Sequence, residues 1–322
     1  MADEPVLAPR VTMHYYLSSQ DDPRLRAVVA RNAYGTGFLP NMLREDCLDV
    51  LPRPWRGGSD FKPVVLSDDP SRASTLIASA LALDPGERVL AEALRAFFTA
   101  TADTLLRFPS AYYEVVYAYT PTRSESGVAT GFRLLPIPPG TVDSRRGRPV
   151  QYVPVSAAAR RTRRGVGFVI LDPAALAAFR LDAGLEHRVK TAAAALADAD
   201  SLPGTATREA AAGRARRRRP TQSVTTATAP VGWNGRVDVL SKEQLTPYQV
   251  WRRLECLAFK IKVRQAILVC LNSALTEASR RLQLPMSIEL EGVATLDDVR
   301  GAQDDLRHGR QSLDALTLWA LQ

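Results

Sequence analysis

The run Phe108-Pro-Ser-Ala-Tyr-Tyr-Glu-Val-Val-Tyr-Ala-Tyr119, continued by Gly131-Phe-Arg-Leu-Leu-Pro-Ile-Pro-Pro-Gly-Thr-Val142, decides the fold class. Tyr113, Val115, Tyr117 and Tyr119 alternate with Glu114, Val116 and Ala118. Aromatic and β-branched residues at a period of two predict a strand. On that alternation Glu114 falls on the face opposite the tyrosines and is expected to be exposed. The connection Thr120–Val128, holding Pro121 and Gly127, reads as a hairpin loop. A basic turn, Arg145-Arg146-Gly147-Arg148, leads to a third short strand at Val150–Val155, and Gly167–Leu171 reads as a last apolar strand.

Helix starts flank this strand-rich block. Asp22-Pro23, Asp69-Pro70, Asp84-Pro85 and Asp172-Pro173 each set a side-chain acceptor before a proline suited to the first helical position. The first helix is expected over Pro23–Ala33. Residues 38–66, rich in proline and carrying Gly57-Gly58, predict irregular chain with short strands. The helix opened at Asp84 has Glu87 in capping-box position and carries Leu90, Leu94, Phe97, Phe98, Leu105 and Phe108 at helical spacing, with Pro109 as its stop. Asp172 is expected to open an alanine-rich helix reaching Ala197.

From Asp198 to Gly235 periodicity disappears into Ala, Thr, Pro, Gly and Arg, so the segment is either a disordered linker or a functional loop. Thr246-Pro247-Tyr248-Gln249 is then a capping box, and it opens the most regular helix of the chain. Val250, Leu254, Leu257, Ile261, Leu268, Leu271, Leu275, Ala278 and Leu282 form one apolar stripe, interrupted only at Arg264. Carried to Leu284, the helix would be roughly 57 Å long. So regular a stripe needs a long partner, within the chain or in a neighbouring subunit. No other segment is long enough, which favours an oligomer with the stripe as interface. A short strand at Ile288–Gly292, a helix from Thr295 to His308 closed by Gly309, and a turn capped by Ser312 complete the sequence.

With 322 residues, 46% of them hydrophobic, the chain can build a sizeable core. No apolar run approaches the roughly 20 residues of a membrane span, and Met-Ala-Asp-Glu-Pro lacks the layout of a signal peptide. Cys47, Cys256 and Cys270 are few, odd in number and far apart, which predicts a reducing, intracellular setting rather than a disulfide scaffold. The net charge of +8 arises largely from clusters: Arg145, Arg146 and Arg148; Arg160, Arg161, Arg163 and Arg164; and Arg214 with Arg216 to Arg219. Such clusters attract nucleic acid or an acidic partner, although an arginine- and alanine-rich composition also produces them without function.

Catalytic signatures are missing. There is no Gly-x-x-x-x-Gly-Lys-Ser/Thr, no Gly-x-Ser-x-Gly, no Cys-x-x-Cys and no His-Glu-x-x-His. His14, His187 and His308 stand apart from any motif. Asp297, Asp298, Asp304 and Asp305 could hold a metal with His308, but they read more simply as a solvated helix face. The expectation is a protein without catalytic, cofactor-binding or metal-ligating residues.

The order of these parts resembles the portal proteins of tailed bacteriophages: a helix running into "YxEVVY", then "LLPIPP", and later "IELEG" before a polar "TLDDVRGAQDDLRHGRQSLDAL" tail. The resemblance implies an α+β, portal-like subunit with long stem, tunnel and crown helices and a small β-rich clip. It divides the chain into an N-terminal wing region (1–84), a stem helix (85–109), the clip (110–171), and a second stem helix (172–197). Wing and tunnel-loop material or a flexible linker follows (198–245), then the long helix, closing strand and helical crown (246–322).

It further implies a ring, typically of twelve subunits, at one capsid vertex of the virion. Double-stranded DNA would pass through the ring without sequence specificity, and capsid protein, terminase and head–tail adaptor would be its partners. Arg216, Arg217, Arg218 and Arg219 would then be the candidate DNA contacts, if their loop faces the channel rather than solvent or capsid. Val250, Leu254, Leu257, Ile261, Leu268, Leu271 and Leu275 would be the candidate subunit interface. The competing readings are a basic nucleic-acid-binding protein that is not a ring, another head–tail structural protein, and a metal-dependent enzyme using the paired aspartates.

Overall fold

The computed structural model describes residues 6–8, 23–51, 61–82, 89–119, 129–145, 148–153, 162–163, 166–200, 226–235, 246–313 and 315. The chain is α+β, and its described residues fall into two compact units. One holds Met1–Ala33, Phe61–Leu181 and Gln265–Glu291; the other holds Tyr34–Asp60, Asp182–Arg264 and Gly292–Gln322. No helix among the described residues is long and apolar enough to cross a membrane.

The first unit is organised by β3 (Ala111–Tyr119), the tyrosine-rich strand. β4 (Ala129–Pro136) runs antiparallel along one edge, with Val115 opposite Leu134 and Tyr117 opposite Phe132. The other edge is shared: β1 (Val6–Ala8) pairs with Tyr117–Tyr119, and β9 (Leu176–Phe179) pairs with Ala111–Glu114. A second sheet has the order β5 (Val142–Arg145), β6 (Arg148–Val153), β8 (Val166–Ile170) and β7 (Thr162–Arg163). Arg145 stands opposite Arg148 in the antiparallel pairing of β5 with β6, and Arg146 and Gly147 of the basic turn lie outside the described residues. The antiparallel course of β3 and β4 agrees with a hairpin, although the Thr120–Val128 connection lies outside the described residues.

Helix α1 (Pro23–Asn32) lays Leu25 against Tyr152 of β6, and Asn32 Nδ2 donates to Gly140 O at 2.8 Å. Asp69 caps α3 (Pro70–Leu81) by accepting from Arg72 N at 3.0 Å. α4 (Leu90–Leu105) buries Leu94, Phe97, Phe98 and Leu105, as its spacing predicts, while Asp84 lies outside the described residues. Phe97 packs on Tyr113 and Phe179 with ring centroids 4.9 and 5.4 Å apart, tying α4, β3 and β9 into one aromatic cluster. The short pair of β2 (Lys62–Leu66) and β10 (Ser287–Glu291) completes this unit.

Three expectations are corrected. Glu114 is buried, at 1% exposure. Its strand has neighbours on both edges and is covered on both faces, so alternation along β3 does not separate core from solvent. Residues 172–182 are not the start of a helix. Asp172 caps only a single 3-10 turn, Pro173–Ala175, after which Leu176–Phe179 is drawn into the edge of β3. The helix α5 (Ala183–Asp200) begins instead at Asp182, whose carboxylate accepts from Leu185 N at 2.8 Å. Local alanine content favours helix over 176–179, but pairing with β3 and burial of Phe179 outweigh it. Finally, 38–66 is not irregular throughout: α2 (Phe38–Asp46) is a helix, with Pro40 in its first turn where no N–H is lost.

In the second unit α2 packs on α5, and Asp200 at the end of α5 accepts from Leu39 N in the first turn of α2 at 2.8 Å. The long helix α6 (Pro247–Leu282) begins at the expected box, Gln249 N donating to Thr246 Oγ1 at 3.3 Å and Thr246 N to Gln249 Oε1 at 2.7 Å. Its end is set by Gln283, whose φ of 52° turns the chain out of the helix before Pro285. Residues 247–264 of α6 belong to the second unit and 265–282 to the first. Helix α7 (Leu296–Arg307) opens with a capping box between Thr295 and Asp298.

Burial pushes the Tyr113 phenol from its usual 10.0 up to about 12, partly offset by the 2.7 Å hydrogen bond to Thr101 Oγ1. A raised folded pKa favours the neutral phenol in the native state. The stability it contributes is therefore present below pH 10 and lost as pH rises through about 12, on the order of 2–3 kcal/mol. Urea titrations at pH 9 and pH 11.5 should show wild type losing more stability than Tyr113→Phe over that interval. Parallel losses would refute the assignment to Tyr113.

Candidate functional site

The stripe on α6 was expected to face a neighbouring subunit, and the structure corrects this. Val250, Leu254, Ile261, Leu271 and Leu275 have no solvent exposure, Leu257 has 9%, and Leu268 is half-buried. In the second unit Val250, Leu254, Leu257 and Ile261 form one core cluster with Ala294, Val299 and Ala302 of the α7 region. In the first unit Asn272, on the later part of α6, donates to Ile288 O at 3.0 Å and accepts from Ile288 N at 2.9 Å. The stripe is thus covered piecewise by the chain itself and offers no free interface. No single partner of equal length is needed.

Arg264, the interruption in the stripe, is buried at 5% exposure and donates from Nη2 to Ala294 O at 2.7 Å. Burial pushes its pKa down to about 10. The arginine holds the segment leading into α7 rather than reaching solvent. The candidate DNA contacts Arg216, Arg217, Arg218 and Arg219 lie outside the described residues.

The polar groups that do converge lie along the first turns of α6. Arg252, at 4% exposure, donates from Nη2 to Trp233 O at 2.6 Å and to Thr228 Oγ1 at 3.4 Å, and from Nε to Asn234 Oδ1 at 3.2 Å. Trp233 in turn donates from Nε1 to Asp46 Oδ2 at 2.9 Å. Gly232 has φ 69°, and a Cβ there would run into the backbone of α6 at Cys256. Cys256 follows Arg252 by one helical turn and Lys260 follows Cys256 by another, so all three share one face. Cys47, the C-cap of α2, sets its thiol in a hydrogen bond with that of Cys256.

The surroundings split the two thiols. The bond with Cys47, aided by the charges of Lys260 and Arg252, lowers the pKa of Cys256 against burial and the Asp46 carboxylate. The same bond, with burial, raises Cys47. Sequence reading treated the cysteines as far apart, and spacing carried no signal of this meeting. The faint sequence signals were Gly232 and Trp233, the glycine and the large apolar side chain at the end of an otherwise featureless stretch.

The acidic residues of α7 are engaged locally. Asp298 completes the cap, Asp297 pairs with Arg300 at 2.8 Å, Asp304 with Arg307 at 3.5 Å and Asp305 with Arg310 at 3.0 Å. His308 sits at the exposed end of the helix with Nδ1 2.7 Å from Asp304 O, and His187 is exposed on α5. His14 lies outside the described residues. Among the described residues no group of three or more His, Cys, Asp or Glu is placed to hold a metal ion. In the first unit a groove of about 590 Å³ is lined by Val115, Leu176, Ala177, Val269, Ser273 and Glu277. Its one carboxylate, Glu277, pairs with Arg280 at 2.7 Å.

No protein-family model matches this chain, and no curated protein matches it. Among solved structures it is similar to a chain of a particle described as "Virion of native gene transfer agent (GTA) particle". The similarity has 12% identity and a TM-score of 0.31, over 99% of this chain and 96% of that one.

The convergence at Arg252 makes it a structural anchor. Arg252→Ala removes the donor to the Trp233 carbonyl and the bonds to the Asn234 and Thr228 side chains, and should cost about 2–4 kcal/mol in chemical denaturation. Arg252→Lys should recover less than half of that, because one ammonium cannot span the same acceptors. Gly232→Ala should cost more than about 2 kcal/mol, combining a left-handed backbone with collision on α6. A cost below about 0.5 kcal/mol for either alanine variant would show that the 228–234 segment is not clamped.

Proposed function

We propose that this chain is a structural subunit of a virion, the portal ring at one capsid vertex through which double-stranded DNA is packaged and released. The observation that carries the reading is the order of the elements. α4 runs into β3, the β-rich section β4 to β8 follows, then α5, the long α6, the acidic strand β10 and the polar, capped α7. This is the succession of stem, clip, stem, long helix, closing strand and crown that the sequence resemblance implies. The departure is the interposed β9, which delays the second of these helices to Ala183.

A role of this kind is mechanical and calls for no catalytic residue. Its partners would be further copies of this chain, capsid protein, terminase and a head–tail adaptor. Because the α6 stripe is consumed within the fold, lateral contacts would fall to apolar side chains that remain exposed, such as Phe38, Val89, Tyr248 and Val269. Ring closure needs a heterologous contact, in which two different surfaces of one subunit meet. DNA would be met through phosphate, and Arg216 to Arg219 are the first candidates, in keeping with the net charge of +8.

Light scattering on the purified chain should give a mass near 420 kDa, about twelve times the 35.2 kDa subunit, with rings and a central hole in negative stain. Val269→Asp, on the rim of the groove, should lower the ring fraction while leaving the far-ultraviolet circular dichroism unchanged. If the rings bind DNA through the arginine run, replacing Arg216 to Arg219 with serine should flatten the slope of log K against log salt by about 3–4. A stable monomer that binds DNA through that run would replace the portal reading with that of a basic nucleic-acid-binding protein.

A further inference from the structure

Cys47 and Cys256 are used by none of the assembly roles above, yet the fold brings them together with care. Asp46, the residue before Cys47, is held by Trp233 Nε1 at 2.9 Å. Gly232, the residue before Trp233, lies against the backbone of Cys256 with no room for a Cβ. Arg252, one turn before Cys256, grips Trp233 O at 2.6 Å. These restraints link the end of α2 to the first part of α6 without involving sulfur. Cys47 itself is fixed by its backbone N–H, which donates to Arg44 O at 3.0 Å and Leu43 O at 3.2 Å. The two thiols are left side by side as free cysteines in mutual hydrogen bond.

The members of the pair differ in access. Cys47 is 1% exposed, whereas Cys256 is only partly buried. Cys256 also has a cationic side chain one turn away on each side, Arg252 and Lys260, on its own face of α6. Cationic neighbours and access are the features that make a thiol reactive, and a second thiol in contact is what captures the oxidised product. Cys270 is assigned to the other unit, and the chain has no fourth cysteine to pair with it.

We propose that Cys47 and Cys256 form a redox modification site, a dithiol that hydrogen peroxide converts to an intrachain disulfide and that small thiols reverse. The Cys256 thiolate attacks one peroxide oxygen; an S–O bond forms, the O–O bond breaks, and the departing hydroxide takes a proton to become water. Cys47 sulfur then attacks the Cys256 sulfenic acid. The S–S bond forms, the S–O bond breaks, and a second water leaves with the Cys47 proton. Two thiols lose two electrons in total and peroxide gains them. The linkage joins α2 to α6 across a long loop of chain, which restricts the unfolded state and so stabilises the native one.

The test uses the full chain in its native state, treated with hydrogen peroxide, then alkylated with N-ethylmaleimide, digested without reduction and read by mass spectrometry. The expected product is a peptide pair linked through Cys47 and Cys256, lighter by two hydrogens, with Cys270 alkylated. Dithiothreitol should restore both thiols. Cys270→Ser should form the same linkage and show a Tm higher by a few degrees when oxidised than when reduced. Cys256→Ser should abolish the linkage. The proposal is overturned if peroxide carries Cys256 to sulfinic acid without linked peptide, or if Cys270 is oxidised while Cys47 and Cys256 remain thiols. It is equally overturned if the linkage forms only after denaturation.

Discussion

Burial of the apolar stripe along α6 is the constraint on which the rest of the fold depends. A helix of this length with one continuous apolar face cannot remain alone in water. Each unit supplies its own cover. In the second unit the cover is the α7 region, which closes Val250, Leu254, Leu257 and Ile261 into a single cluster. In the first, the stripe residues Leu271 and Leu275 are fully buried, and Asn272 bonds both backbone groups of Ile288. The stripe therefore stabilises the single chain and is not left free as a surface.

Polar anchoring completes what apolar burial begins. Arg252 and Arg264 are both more than nine-tenths buried, and both spend their guanidinium groups on backbone carbonyls at the borders of α6: Trp233 O and Ala294 O. A planar, multi-donor cation is suited to this because it satisfies several acceptors from one rigid head. The stretch from Thr228 to Gly235 owes its ordered path to Arg252, to the Trp233–Asp46 bond and to the tight seat of Gly232. The Cys47–Cys256 pair is a by-product of the same clamp, because fastening Asp46 to Trp233 draws the next residue toward α6.

Helix-starting chemistry was largely legible in the sequence. Asp69 and Thr246 cap the helices their motifs announce, the helix expected from Thr295 is present with that residue as its cap, and β4, β6 and β8 lie within a few residues of their expected places. These signals are local: a side-chain oxygen two or three residues from an orphan N–H, or an apolar period read within one segment. The same Asp-Pro device failed at Asp172, where the cap is made but the helix does not follow. A neighbouring strand offered Leu176–Phe179 a pairing that alanine propensity could not match.

The sequence by itself determined the starts of α3 and α6, the central strand β3, the α+β class, and the presence of one long amphipathic helix. Those features rest on interactions between residues a few positions apart. Only the tertiary structure decided that the α6 stripe is core rather than interface, that Glu114 is buried on a strand with neighbours on both edges, and that Cys47 meets Cys256. Each of these depends on which distant segment covers a given face. A face covered by small pieces from several places leaves no periodic trace in any one of them.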